Sequence, residues 1–348
     1  MSSKFSLVRY FRDAAGVKPN VLAISFVIIG YAVGIACLLS PAWWFNVLGV
    51  LLTAQTLIIS AYLLHEFSHY SIFKTPQLNK RWGTIMSWIN GSCYSTFEEI
   101  RNKHMHHHVD RADVVSFDIK KFVMHMPKPF KAVVKFLEWA YVPAAEILMH
   151  VLVITLPFTT PRWHHKRSRK AIVLLVRGLM FAALAYYSLK AIFLYILAYC
   201  LMLTALRFAD AYQHTYDAFI VSDAGDKEDK FKADGKLRDD VYEQANTYSN
   251  LVSVHYPVLN LLFLNFPYHN AHHERPIEPW YKLPELHERL YGKVDAAKPV
   301  IPMLQLLKSF HRHRLTRLES DDYGTLEFKP GGADHFIGAV GVSFLTVI

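Results

Sequence analysis

Apolar residues in this chain run in long blocks, and the charged residues collect between them. Two blocks lie near the start, from about Val21 to Leu39 and from about Phe45 to Leu64. At 1.5 Å per helical residue each is long enough to cross about 30 Å of hydrocarbon. The short uncharged turn Ser40-Pro41-Ala42-Trp43-Trp44 separates them, which predicts a helical hairpin with an aromatic anchor at the interface. A second hairpin is predicted over 171–187 and 191–208, joined by Ser188-Leu189-Lys190.

Two other apolar stretches are not expected to cross. Ala140 to Phe158 contains Glu146 and His150 and has basic residues on both flanks. Leu251 to Tyr268 contains His255, Pro257, Asn260, Asn265 and Pro267, the composition of a re-entrant or interfacial segment. The expected organisation is therefore an N-terminal segment 1–19, a membrane domain 20–330 with the four spans, a cap formed by 65–170 and 209–330, and a tail 331–348. The fold class is all-α. Asp223 to Asp240, rich in Asp and Lys, reads as a solvated mobile loop, and the apolar tail from His335 to Ile348 as interfacial or disordered.

Composition agrees with a membrane protein: 52% of residues are hydrophobic, yet there are 38 Lys+Arg and 19 His. Most of the Lys and Arg fall in the N-terminal segment, in His65 to Arg169 and beyond His214, whereas the two hairpin turns carry only Lys190. Cytosolic loops retain such residues, so both termini and the cap are expected in the cytosol. The first apolar run has no clear cleavage site and reads as a retained anchor. Arg177 and Arg207, in or at the ends of spans, are expected to snorkel to lipid headgroups, with a substrate headgroup as the alternative partner. A formal charge of +9 is what this asymmetry produces, and with no basic-aromatic binding module it does not imply nucleic acid. Cys37, Cys93 and Cys200 have no metal or redox spacing and read as packing residues.

The histidines carry the chemistry. Nine of them form four groups: His65 and His69; His104, His107 and His108; His214; and His269, His272 and His273. Helical positions i, i+3 and i+4 share a face, so each multiple group can present its imidazoles together. Nine neutral imidazoles exceed the needs of one metal, while two irons with four or five nitrogen ligands each would use them all. His106 breaks the spacing and is left out. Glu66, Asp110, Asp113 and Glu274 adjoin the groups and are candidates to accept hydrogen bonds from the ligand imidazoles. His164, His165, His311 and His313 stand among basic residues and read as solvated or interfacial.

The motifs HEFSH at 65–69, HMHHH at 104–108, YQHTY at 212–216 and HNAHH at 269–273, ordered around two hairpins, resemble those of the membrane fatty acid desaturase and hydroxylase superfamily. The resemblance covers roughly residues 20 to 290. It implies four membrane helices under a cytosolic helical cap, two non-haem irons on the histidine boxes, and O2-dependent oxidation of an aliphatic chain. In one branch of the family an Asn one turn before the lone histidine reaches an iron through water; Asp210 occupies that position here and is expected near the metal without ligating it directly. No His-Pro-Gly-Gly or ferredoxin cysteine pattern is present, so the electron donor is expected to be separate: ferredoxin, rubredoxin, or cytochrome b5 with its reductase.

Desaturation of a fatty acyl chain is the expected reaction. Acyl hydroxylation and oxidative decarboxylation of a free fatty acid to a terminal alkene would use the same scaffold. A competing class comes from HEFSH itself, which also fits the His-Glu-x-x-His pattern of zinc peptidases, with Glu66 as base. That reading leaves most of the ordered histidines unexplained. A metal transporter would want ionisable residues in the middle of its spans. The lack of a fused electron-transfer domain leans the expected location to a bacterial inner membrane.

Overall fold

The computed structural model describes residues 7–221, 238–293, 300–320, 322–327 and 332–348. Its first long helices, α1 (Val17–Leu39) and α2 (Trp43–Ser68), form an antiparallel hairpin. Small residues let them approach closely: a Cβ on Gly34 would sit 2.5 Å from Thr53 Oγ1, and one on Gly49 2.9 Å from the Leu38 backbone N. Trp43 and Trp44 project from the turn, 70% and 58% exposed, as an interfacial anchor would.

The chain then leaves the hairpin through a run of shorter helices: α3 (Pro76–Asn90), α4 (Phe97–Asp110), α5 (Ile119–His125), α6 (Lys128–Trp139) and α7 (Ala144–Thr159). Two further long helices follow, α8 (Arg167–Tyr187) and α9 (Leu189–Asp210). The four long helices are long and apolar enough to cross a membrane, and α7, the 140–158 stretch, is too short to join them. Lys190, in the turn between α8 and α9, donates to Ser40 O at 2.7 Å and to Asn46 Oδ1 at 2.8 Å. The two hairpin turns therefore meet at one end of the bundle. Helix α2 is its centre, with 72% of its apolar window buried, and packs on both α1 and α9.

Beyond α9 the described residues form the short helices α10 (Asp240–Ala245), α11 (His269–Glu274), α12 (Leu283–Tyr291) and α13 (Met303–Arg312). The Leu251 to Tyr268 stretch contains only a 3-10 turn, Pro257–Phe263, consistent with its prolines and asparagines. The Asp223 to Asp240 stretch lies outside the described residues as far as 237.

Four expectations need correction. The fold is not purely helical: β1 (Asp113–Val115) and β2 (Phe219–Val221) pair in parallel, with Asp113 opposite Phe219. Helix α2 does not stop at Leu64 but runs on to Ser68, so that His65 lies in its last turn rather than in a separate segment beyond it. Arg207 and Arg177 turn inward. Arg207 Nη1 donates to Glu138 Oε2 at 2.6 Å and to Glu146 Oε2 at 3.2 Å, and Arg177 Nη1 to Trp88 O at 2.9 Å. Protein acceptors inside the fold replace the headgroups.

The fourth correction concerns the apolar tail, which is neither interfacial nor disordered. Phe336, Val340, Leu345, Val347 and Ile348 are buried. Gly338 and Gly341 adopt φ +82° and +78°, and a Cβ on Gly341 would lie 2.5 Å from Ile119 Cγ2, so glycine is what permits this path. Lys103 Nζ donates to Ser343 O at 2.8 Å and to Thr346 O at 2.9 Å. Ser95 Oγ donates to Val347 O and Lys166 Nζ to Ile348 O. Carbonyls that no secondary structure satisfies thus find donors from the helical body.

Candidate metal centre

Each histidine group is delivered by an element whose register is fixed locally. Helix α4 starts with a capping box: Thr96 Oγ1 accepts from Glu99 N at 3.2 Å while Glu99 Oε2 accepts from Thr96 N at 2.7 Å. That start sets the phase of His104, His107 and His108. The last turn of α2 carries His65, and His69 caps it. His214 follows α9 and is bridged to Thr247, and α11 carries His269, His272 and His273.

These elements bring all nine imidazoles into two adjoining sets. Ring nitrogens of His65, His69, His104, His108 and His272 lie within 4.8 Å of one another, and so do those of His107, His214, His269 and His273. Within the first set, Nε2 of His104 is 2.7 Å from that of His69 and 3.1 Å from that of His108, which is 3.2 Å from that of His272. In the second, Nε2 of His214 is 3.1 Å from that of His107 and 2.8 Å from that of His269.

The tautomers decide what these short separations mean. His107 Nδ1 donates to Ala112 O at 2.7 Å and His273 Nδ1 to Glu243 Oε1 at 2.7 Å. Thr247 Oγ1 gives its own proton to Glu243 O at 2.7 Å, so it accepts from His214 Nδ1 at 3.2 Å. Each of these rings keeps its proton on Nδ1 and turns a bare lone pair inward on Nε2. The Nε2 lone pairs of His107 and His214 therefore face each other with no proton between them, an arrangement a cation would relieve. Two nitrogens bound at right angles to one metal at about 2.1 Å sit about 3.0 Å apart, the separation found here. His65, with neither nitrogen hydrogen-bonded, and His273 Nε2 are buried polar atoms that the same cation would satisfy.

Electrostatics point the same way. Burial pulls His104, His108, His214, His269 and His272 well below the usual imidazole range, and neighbouring imidazoles add to the shift. It brings His107 and His273 down to about 3. All are neutral at pH 7, as metal ligands must be. The donor set, imidazole only and divided five and four, suits two transition-metal ions such as iron.

The carboxylates sort differently from the expectation. Glu66 Oε1 is 3.6 Å from His65 Nδ1, too far for a hydrogen bond, and Glu66 Oε2 instead accepts from Ser71 Oγ at 2.8 Å and Trp280 N at 3.1 Å. Asp110 pairs with the exposed His106 at 2.8 Å. Glu274, the last residue of α11, is exposed. Asp113 and Asp210 do reach the centre: both line a cavity of about 40 Å³ bordered by His65, His104, His107, His214 and His269. Asp113 accepts from Tyr323 Oη, and burial raises its carboxyl to about 6.

Sequence reasoning missed Glu243, Thr247 and the Ala112 carbonyl, which hold three of the rings. Glu243 is itself held by Arg111 Nε at 3.0 Å. None of them belongs to a motif, and no signal in the sequence marks them.

With this geometry in view, a family model described as "Fatty acid desaturase" matches residues 41–304. No curated protein matches the chain.

Proposed function

Because the chain belongs to the fatty acid desaturase family, we propose that it is an integral membrane oxidoreductase that desaturates an acyl chain with O2 at two non-haem irons. One iron would be held by His65, His69, His104, His108 and His272, the other by His107, His214, His269 and His273. When bound, the irons would supply the reduction of O2 and the oxidising power to remove hydrogen from an unactivated methylene, chemistry that no protein side chain provides. The observation that carries this reading is the pair of inward-facing lone-pair clusters, which together use all nine histidines of the four groups and leave out only His106 of the four motifs.

The chain's own residues do the rest. Glu243, Thr247 and the Ala112 carbonyl hold the Nδ1 protons and so aim the Nε2 lone pairs. Phe266, Val114, Val342 and Phe344 form the apolar part of the cavity wall and limit water at the reacting position. Asp210, on the cavity wall, would orient a water near the metal rather than bind the metal directly. Asp113, hydrogen-bonded to Tyr323, can hold a proton at the cavity edge for the O2 chemistry.

In this reading the four long helices cross the membrane, the remaining helices form a cytosolic cap, and both termini are cytosolic. Electrons come from a separate carrier, a ferredoxin, rubredoxin or cytochrome b5 with its reductase. The peptidase alternative loses support because it uses two or three of the nine gathered imidazoles, and because one oxygen of the Glu66 carboxylate is already committed to Ser71 and the Trp280 amide. The test is to purify the protein in detergent, quantify iron and zinc per chain, and follow the ferrous form spectroscopically on exposure to O2. Two irons that oxidise with O2 are expected; one zinc and no iron would overturn the proposal in favour of hydrolysis.

A further inference from the structure

The segment 338–348 packs against the histidine centre rather than beside it. The Phe344 ring centroid is 5.8 Å from that of His65 and 5.8 Å from that of His104, members of the same five-histidine set. Phe344 and Val342 line the cavity in front of both sets. At about 40 Å³ this cavity holds two or three waters and has no room for an extended acyl chain. The ring of Phe344 is thus a boundary of the space left for the reacting carbon.

That boundary is held in place. Lys103, the residue before His104, grips the segment on both sides of Phe344 through the carbonyls of Ser343 and Thr346. Ser95 and Lys166 hold the carbonyls of Val347 and Ile348. Gly341 passes so close to Ile119 that no larger residue fits without displacement. A fixed aromatic ring touching two metal-binding imidazoles determines how far an aliphatic chain can advance past them. A wall of this kind discriminates by size, because each methylene gained or lost in an apolar pocket changes binding by about tenfold or more.

We infer that Phe344 is a specificity-determining residue, the stop against which the aliphatic chain registers, so that it fixes both the accepted chain length and the carbon presented for oxidation. The inference rests on the acyl-oxidation reading above. Removing the ring opens the stop, and a larger ring tightens it.

The experiment uses the full chain, iron-loaded in detergent, as wild type, Phe344→Ala and Phe344→Trp. Binding of lauric, palmitic and stearic acids is measured with radiolabelled ligand in the absence of reductant, and the position of oxidation is read by mass spectrometry after reduction. Iron per chain is determined on each sample. Phe344→Ala is expected to keep its iron, to shift relative affinity towards stearic acid by about tenfold, and to move the oxidised position along the chain. Phe344→Trp is expected to shift both in the opposite sense. Unchanged length preference and position in both iron-replete variants, with the wild type active, would overturn the inference and leave the acyl-oxidation reading standing. A wild type that neither binds nor oxidises any of the three acids would sink both. Loss of iron in Phe344→Ala with an unshifted Phe344→Trp would make the ring a mere support for the metal site, and would also overturn the inference.

Discussion

Glu243 accepts from His273 Nδ1 at 2.7 Å through one carboxylate oxygen and is held by Arg111 Nε at 3.0 Å through the other. The link from a cationic anchor to a ring in the four-histidine set fixes that imidazole's tautomer and strengthens it as a donor. Glu243→Ala should weaken metal retention about 10–100-fold, and Glu243→Gln, which keeps an acceptor, should do less harm. Iron remaining after graded chelator challenge measures this; retention equal to wild type in the Ala variant would show that the carboxylate does not tune the site.

The two sets predict different single-site losses. His107→Ala removes an imidazole from the four-histidine set and His272→Ala one from the five-histidine set, and under the proposed function each is expected to abolish oxidation while the protein still inserts in the membrane. His313 belongs to neither set, and among the described residues its ring donates to the Asp334 carbonyl at 3.0 Å, so His313→Ala should be nearly silent. Product formation by membranes carrying each variant, normalised to expression, provides the comparison. An active His107 variant would refute its assignment as a ligand.

Arg207 is the only hydrogen-bonding partner found, among the described residues, that reaches both Glu138 and Glu146. Arg207→Met removes the cation hydrogen-bonded to two buried carboxylates, leaving them only the longer-range charge of buried Arg317, and should destabilise the protein by up to about 3–5 kcal/mol. Lysine cannot reproduce the spread of the guanidinium donors, so Arg207→Lys should rescue only in part. Thermal unfolding in detergent tests both variants, and a Met variant as stable as wild type would show that the pair contributes nothing net.

His287 supplies a pH prediction away from the metal centre. It is fully buried, with rings of Tyr268 at 5.4 Å and Tyr291 at 5.1 Å, neither of its nitrogens is hydrogen-bonded, and burial lowers its pKa to about 4 from 6.5. Between these values the unfolded chain binds the proton and the folded one does not. Stability from this residue is therefore complete above about pH 6.5 and falls as the pH drops towards 4, by an amount on the order of 3 kcal/mol. Melting temperatures at pH 7 and 4.5 should differ less in His287→Phe than in wild type. Identical pH slopes would exclude His287 as a source of the acid sensitivity.

What the sequence revealed and concealed follows from range. The long helices were readable because an apolar run of spanning length is a local property, and the histidine groups because i, i+3 and i+4 spacing needs only a helix. The ends of α2 were misplaced because hydropathy falls at His65 while the backbone pattern continues to Ser68. Glu243, Thr247 and Arg207 acquire their roles from partners far away in the chain, and nothing near them in sequence announces it. The tail looked like a loose apolar end because the donors that secure it, Lys103, Ser95 and Lys166, belong to distant segments.

Helices α4 and α11 each serve both histidine sets, and they do so in reverse: α4 gives His104 and His108 to the first and His107 to the second, whereas α11 gives His272 to the first and His269 and His273 to the second. The two positions are thus cross-tied, and their distance apart is a ruler set by single helical turns. A shift of either helix by a fraction of a turn would therefore disturb both sets at once, so neither set can be reshaped without the other.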